Sequence, residues 1–266
     1  EKIQKNTSTM IPDQQFLSQE QVATTVLTLA DDEQAKILNG KIIPGDRVFY
    51  PVKPHIRSSV PKAEKNNLNG KRFIFGGMSP SEQSVSSWYS SITSIIEEKG
   101  GQLETSNDFD LAIHITGNLP DFSKLTELSR DEWDKLVDQF INAPAKWTRH
   151  ALNDFVPGGS DDPRKFKDAN GRIVIIGPAL PTGKKISGHE RAKVEVFRGL
   201  LRPFVTTVNQ ELSDVLKSNV RVFLILPGTV DGKEPNDENI VNTINYLVSD
   251  EAASSSEVIF CPDETR

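Results

Sequence analysis

Cysteine is nearly absent from this chain: there is one, Cys261, in 266 residues. A lone cysteine excludes an internal disulfide and fits a reducing cytosol, so a cytoplasmic location is expected. Histidine is sparse as well. His55, His114, His150 and His189 are scattered without metal-ligand spacing, so no metal site is expected. No apolar run approaches the roughly 20 residues that span a bilayer. The polar opening Glu1-Lys2-Ile3-Gln4-Lys5-Asn6 lacks the apolar centre of a signal peptide. It also lacks an initiator Met, which leads to the expectation of a processed chain or fragment. Basic residues are outnumbered, 31 Lys and Arg against 37 Asp and Glu, for a net charge of -6. Such a chain is repelled overall by nucleic acid and by anionic membranes, so neither is expected as a partner. Local basic clusters can still hold a small anion. What remains is ordinary for a globular protein: 36% apolar and 26% charged residues, long enough for one large domain or two small ones.

Two stretches resemble each other, residues 22–43 (VATTVLTLADDEQAKILNGKII) and 240–260 (IVNTINYLVSDEAASSSEVIF). Each has apolar residues at helical spacing (Val22, Val26, Leu29; Ile240, Ile244, Leu247), then an acidic break, then a short apolar strand. Either they are two unrelated helix–turn–strand units, or both close the same kind of domain. On the second reading, residues 1–50 are the C-terminal tail of a preceding unit and 71–266 form a nearly whole second one. Residues 51–70 (PVKPHIRSSVPKAEKNNLNG) have little to bury and read as a linker.

From residue 71 the pattern becomes regular. Residues 71–75 predict a strand running into Gly76-Gly77. Residues 84–99 predict a helix with Trp88, Ile92, Ile95 and Ile96 on its apolar side, stopped by Gly100-Gly101. Residues 111–115, 172–176 and 220–226 read as strands apolar along their length. Between them, 131–153 predicts a helical region interrupted near Pro144, and 187–217 one with a break or kink at Pro203. The Ser254-Ser255-Ser256 run reads as a turn. Apolar strands alternating with helices imply an α/β fold, a parallel sheet covered by helices on both faces.

The order of motifs resembles the short-chain dehydrogenase/reductase family over residues 71–260. That family opens with a strand and a TGxxxGxG loop. Here the loop is Phe75-Gly76-Gly77-Met78-Ser79-Pro80-Ser81-Glu82, in which Gly76 survives but Pro80 and Glu82 replace the later glycines. Pro80 removes an N–H donor, and Glu82 brings a carboxylate toward where a pyrophosphate would sit, so both oppose binding. Only about ten residues, 100–109, separate the first helix from the next strong strand. A βαβ unit takes 30 or more, so the part of the sheet that carries adenine and ribose is expected to be mostly missing.

The resemblance extends to the chemistry positions, with the same losses. The family's NNAG is His114-Ile115-Thr116-Gly117. Its EEWxxxxxxN helix is Glu132-Trp133 followed by Phe140 where the catalytic asparagine belongs. Its catalytic serine falls near Gly177-Pro178, and its YxxxK pair is His189-Glu190-Arg191-Ala192-Lys193. In the family, tyrosine passes the proton with its pKa lowered by lysine, while serine holds the carbonyl oxygen. The expected fold is therefore a truncated, degenerate Rossmann-like short-chain-reductase unit. No catalytic residue is expected beyond vestigial His189 and Lys193, and no cofactor-binding residue beyond vestigial Gly76 and Gly77. The Pro227-Gly228 motif is intact and reads as a structural turn.

Residues 27–43, 192–212 and 222–227 further resemble the C-terminal portion of the bifunctional malonyl-CoA reductases, multidomain bacterial enzymes of tandem short-chain-reductase units. That resemblance implies an NADPH-dependent reduction of malonyl-CoA through malonate semialdehyde to 3-hydroxypropionate. The work is done by complete units, with degenerate ones beside them as partners in the same polypeptide. No cofactor is expected on this domain itself. Two readings stay open at several places. His189 with Lys193, at i and i+4 on a helix, is either a substitute proton donor with its pKa held down or a vestigial pair. Lys184-Lys185 with Arg191 and Lys193 is either an anion site for a CoA phosphate or a solvated face. Arg198, Arg202, Phe197, Leu200, Leu201 and Phe204 lie on one long helical region, which is either a homodimer interface or core packing.

Overall fold

The computed structural model describes residues 63, 65–77, 83–105, 108–119, 125–156, 163–179, 188–227, 236–253 and 259–260, besides Gln19 and Ala23. Chain contacts divide the molecule into two compact units, Glu1–Pro54 and His55–Arg266. The predicted closing element at 22–43, apart from Ala23, lies outside the described residues, as do the Ser254–Ser256 run and the cluster at Lys184-Lys185.

The second unit is built on six parallel strands: β1 (Arg72–Gly77), β2 (Gln102–Leu103), β3 (Leu111–Ile115), β4 (Arg172–Ile176), β5 (Arg221–Ile225) and β6 (Ile259–Phe260). Their order across the sheet is β2-β1-β3-β4-β5-β6. The helices are α1 (Gln83–Glu98), α2 (Arg130–Val137), α3 (Ala143–Asp154), α4 (Gly188–Gln210), α5 (Asp237–Leu247) and α6 (Asp250–Ala253).

The central strands are apolar on both faces because both faces are covered. Leu111, Ile113 and Ile115 of β3, Val174 and Ile176 of β4, and Phe223 and Ile225 of β5 pack with Trp88, Ile92 and Ile96 of α1 and Ile240, Ile244 and Leu247 of α5. The alternate residues Ala112, Ile173, Ile175, Val222 and Leu224 turn to the other side, against Ala151 of α3 and Leu201 and Val205 of α4. That two-residue alternation is the strand period itself. Each fully buried Leu, Ile or Phe contributes about 1.5–3 kcal/mol by leaving water.

The stretch between α1 and β3 is as short as its sequence implies. Gly100, at φ 86°, turns the chain out of α1. The two residues of β2 then pair with Arg72 and Phe73. The end of the segment read as a linker is packed, because its backbone finds partners on α5. Asn67 and Leu68 donate their N–H groups to Asn245 Oδ1 at 2.7 and 3.1 Å, and Leu68 is fully buried.

Of the two helical regions expected to break at a proline, one is interrupted next to it and the other is not. The first breaks ahead of Pro144, through a π turn at Asp138–Asn142. Pro144 has no N–H for the carbonyl four residues back, and the chain widens before it: Ala143 N–H bonds Asp138 O, five residues back. In α4 the helix continues through Pro203 and gives way at a second π turn, Glu211–Val215. Pro203 is exposed, and open space surrounds the missing Cβ of Gly199, whose carbonyl loses its donor. Water therefore has room to replace the bond. Among the described residues no helix is long and apolar enough to cross a membrane.

Candidate functional site

In a parallel sheet all C-terminal strand ends meet at one edge, and ligands of open α/β sheets bind outside it. Here that edge is set by the register Gly77–Ile115–Ile176–Ile225. It brings together Gly76-Gly77, Thr116-Gly117, Gly177-Pro178 and Pro227, each part of a stretch singled out in the sequence.

Gly76 owes its place to packing. It lies within β1, and a Cβ there would overlap the indole ring of Trp147 on α3. The loop at 78–82, with Pro80 and Glu82, lies outside the described residues. His114 is buried on β3, 6.3 Å from the Trp147 ring. Its Nδ1, Trp147 Nε1 and Thr148 Oγ1 have no hydrogen-bond partner among the described residues. Burial pushes the His114 pKa down to about 4, so the imidazole is neutral near pH 7. Beyond it, Thr116 N–H bonds Ile176 O at 2.9 Å. Thr116 O accepts from Gln139 Nε2 at 2.9 Å.

Two of the positions matched to the family's chemistry are packed into the core. Phe140, at the position of the family's asparagine, is fully buried against Phe197, with ring centroids 5.2 Å apart. At Gly177 a Cβ would lie 2.9 Å from Leu226 Cδ2 and 3.2 Å from Leu201 Cδ1, so a serine has no room without displacing the core. His189 lies in the first turn of α4, with its side chain outside the described residues. Lys193 follows one turn later, partly buried. Among the described residues no cluster of His, Cys, Asp or Glu is placed to hold a metal.

The sequence reading missed a buried ionic cluster at this edge. Arg198 is fully buried and donates from Nη2 to Leu226 O at 3.2 Å and from Nη1 to Pro227 O at 3.3 Å. Glu195, 3% exposed, lies 3.9 Å from Arg198 Nε and 3.6 Å from Arg202 Nη2. The signal was present as Glu-x-x-Arg-x-x-x-Arg, whose i, i+3 and i+7 spacing puts all three on one helix face. The cluster ties α4 to the strand end that precedes Gly228. Of the apolar residues on α4, Phe197 and Leu201 are core, Phe204 is half-buried, and Leu200 is 42% exposed.

No family model matches the chain. An uncharacterised oxidoreductase of Staphylococcus aureus strain MRSA252 is 27% identical over 129 residues, 48% of this chain and 48% of that protein. The chain thus spans about half the length of the curated relatives it matches. Among solved structures, the NADH-dependent reductase A1-R′ complexed with NAD superposes with TM-score 0.51 and 14% identity, covering 74% of this chain and 96% of that one. A Serratia marcescens short-chain dehydrogenase/reductase gives 0.51 and 14%, over 73% and 96%. A short-chain dehydrogenase of Leptospira borgpetersenii with bound NAD+ gives 0.50 and 11%, over 76% and 95%. The chain carries the Rossmann-like fold of the short-chain dehydrogenases/reductases.

Proposed function

We propose that this chain is the C-terminal part of an NADPH-dependent, malonyl-CoA-reductase-like polypeptide, in which residues 71–266 form a non-catalytic unit that shapes or dimerises its neighbours. The oxidoreductase class agrees with the Staphylococcus relatives, and the malonyl-CoA assignment rests on the sequence resemblance. One observation carries the non-catalytic part. The C-terminal edge offers a filled space at Gly177 and a buried phenyl ring at Phe140, where the fold's reductases need a hydroxyl and an amide. The exposed Leu200 on α4 supports a homodimer contact through that helix.

Titration with NADPH, followed by nucleotide fluorescence and thermal stability, tests the reading. No binding and no shift in melting temperature are expected at millimolar NADPH, and a clear upward shift would overturn it. Stabilisation by malonyl-CoA alone would favour the alternative, a residual domain that docks a CoA ester. In the full-length polypeptide, His189→Ala with Lys193→Ala is expected to leave turnover unchanged. Loss of turnover with assembly intact rules out a purely structural unit.

A further inference from the structure

At the opposite edge of the sheet, the strand register creates a feature invisible in the chain. Arg172 and Arg221 open β4 and β5, and their Cα atoms are register partners. Adjacent strands lie about 4.8 Å apart, so two guanidinium groups start side by side where like charges repel. Arg172 is 8% exposed. Both arginines line a cleft of about 270 Å³ with Asn170, Asn219 and Asp250. A smaller recess of about 70 Å³ continues past Arg172 to Lys71 and Asp110.

The fold leaves these cations under-used. Arg172 donates only from Nη1, to Asn170 Oδ1, Gly171 O and Asn219 O at 3.3, 2.9 and 3.1 Å. Its Nε is buried and has no hydrogen-bond partner among the described residues. Arg221 also donates only from Nη1, to Ser218 O at 3.0 Å and Val220 O at 2.9 Å. Those bonds cap strand-end carbonyls and leave the outer half of each five-donor fork unspent among the described residues. No described carboxylate lies within ion-pair distance of either guanidinium. Asp110 is engaged elsewhere, accepting from Arg72 N–H at 3.0 Å. Desolvation lowers the Arg172 pKa, with Asp250 raising it and Arg221 lowering it, as for a buried cation short of counter-charge.

We propose that this cleft is a phosphate-binding site, in which the free donors of Arg172 and Arg221 grip the oxygens and Asn170 and Asn219 flank them. Paired guanidinium forks with amides beside them suit a tetrahedral oxyanion with several acceptor oxygens better than a carboxylate with two. The phosphate is either free or the terminal group of an ester. Asp250, at the rim, opposes it and limits affinity. The site lies across the sheet from Gly177 and Lys193, so it stands or falls separately from the NADPH reading above.

The test uses the full chain with inorganic phosphate, ionic strength held with chloride, read by 31P line broadening and melting temperature. Saturable broadening is expected, with a rise of about 3 °C near tenfold excess over Kd. Arg221→Gln, checked for folding by circular dichroism, is expected to weaken binding at least tenfold, and Asp250→Asn to tighten it two- to threefold. Phenyl phosphate serves as the second arm: tighter binding assigns an ester, and equal or weaker binding assigns free phosphate. General salting-out by phosphate does not saturate and ignores Arg221. Absence of saturation, unchanged affinity in Arg221→Gln, or an equal response to acetate overturns the proposal.

Discussion

Two side chains on the α3 face set the local energetics beneath the C-terminal edge. Trp147 occupies the space beside Gly76, so Gly76→Ala forces a rigid indole to move. Overpacking of this kind costs about 1–3 kcal/mol, and urea unfolding is expected to show it, with the penalty reduced when Trp147→Leu is added. His114 makes a different prediction. Its folded pKa, about 4, lies below the unfolded value of 6.5, so the unfolded chain binds the extra proton first as pH falls. The stability that its neutral form contributes is complete above pH 6.5 and is lost progressively down to about pH 4. By linkage the loss is about 3 kcal/mol at most. Chemical denaturation across that window should show a positive slope that flattens in His114→Asn; an unchanged slope would place the titration elsewhere. In the sequence Gly76 read as the vestigial glycine of a cofactor loop, and the packing that holds it was not visible. The partner ring is 71 positions away, and only the docking of α3 on β1 supplies it.

Elements here are joined by polar ties as well as by apolar faces. Arg198 on α4 holds the last carbonyls after β5 while balancing Glu195. Arg198→Leu is expected to lower stability by about 3–5 kcal/mol, because it leaves Glu195 as a buried charge without that partner. Thermal unfolding measures this, and a Glu195→Gln, Arg198→Leu double variant should recover part of the loss. The helix face carrying these residues was legible from their spacing. That its charges turn inward was not, because the apolar residues beside them fit a homodimer interface as well as core packing. The same limit applies to the breaks. Pro144 announced one, but the π turn that absorbs it forms upstream, where Phe140 is drawn into contact with Phe197. The start of α2, by contrast, is fully local. Ser129 accepts from Glu132 N–H at 3.3 Å, and Glu132 Oε2 accepts from Ser129 N–H at 2.8 Å, the S-x-x-E capping box in the chain itself.

For the molecule as a whole, the sheet is deep at β3, β4 and β5 and thin at β2, which has only two residues, both exposed. Amide exchange is expected to be slowest in Ile113, Val174 and Phe223, opening only with global unfolding, and fastest in Gln102–Leu103. Equal protection across the sheet would mean that β2 is shielded by something not seen here. The chain itself determined the parallel sheet, since runs such as Arg172–Ile176 have no face they can show to water. It also bounded the edge of the sheet beside β1, because the few residues between Glu98 and Leu111 leave room only for the two-residue β2. The tertiary structure alone decided which residues meet. Trp147 with Gly76, Arg198 with Leu226, and Arg172 with Arg221 are joined by strand register and helix docking. Those are set by the packing of the whole core, and no local spacing encodes them.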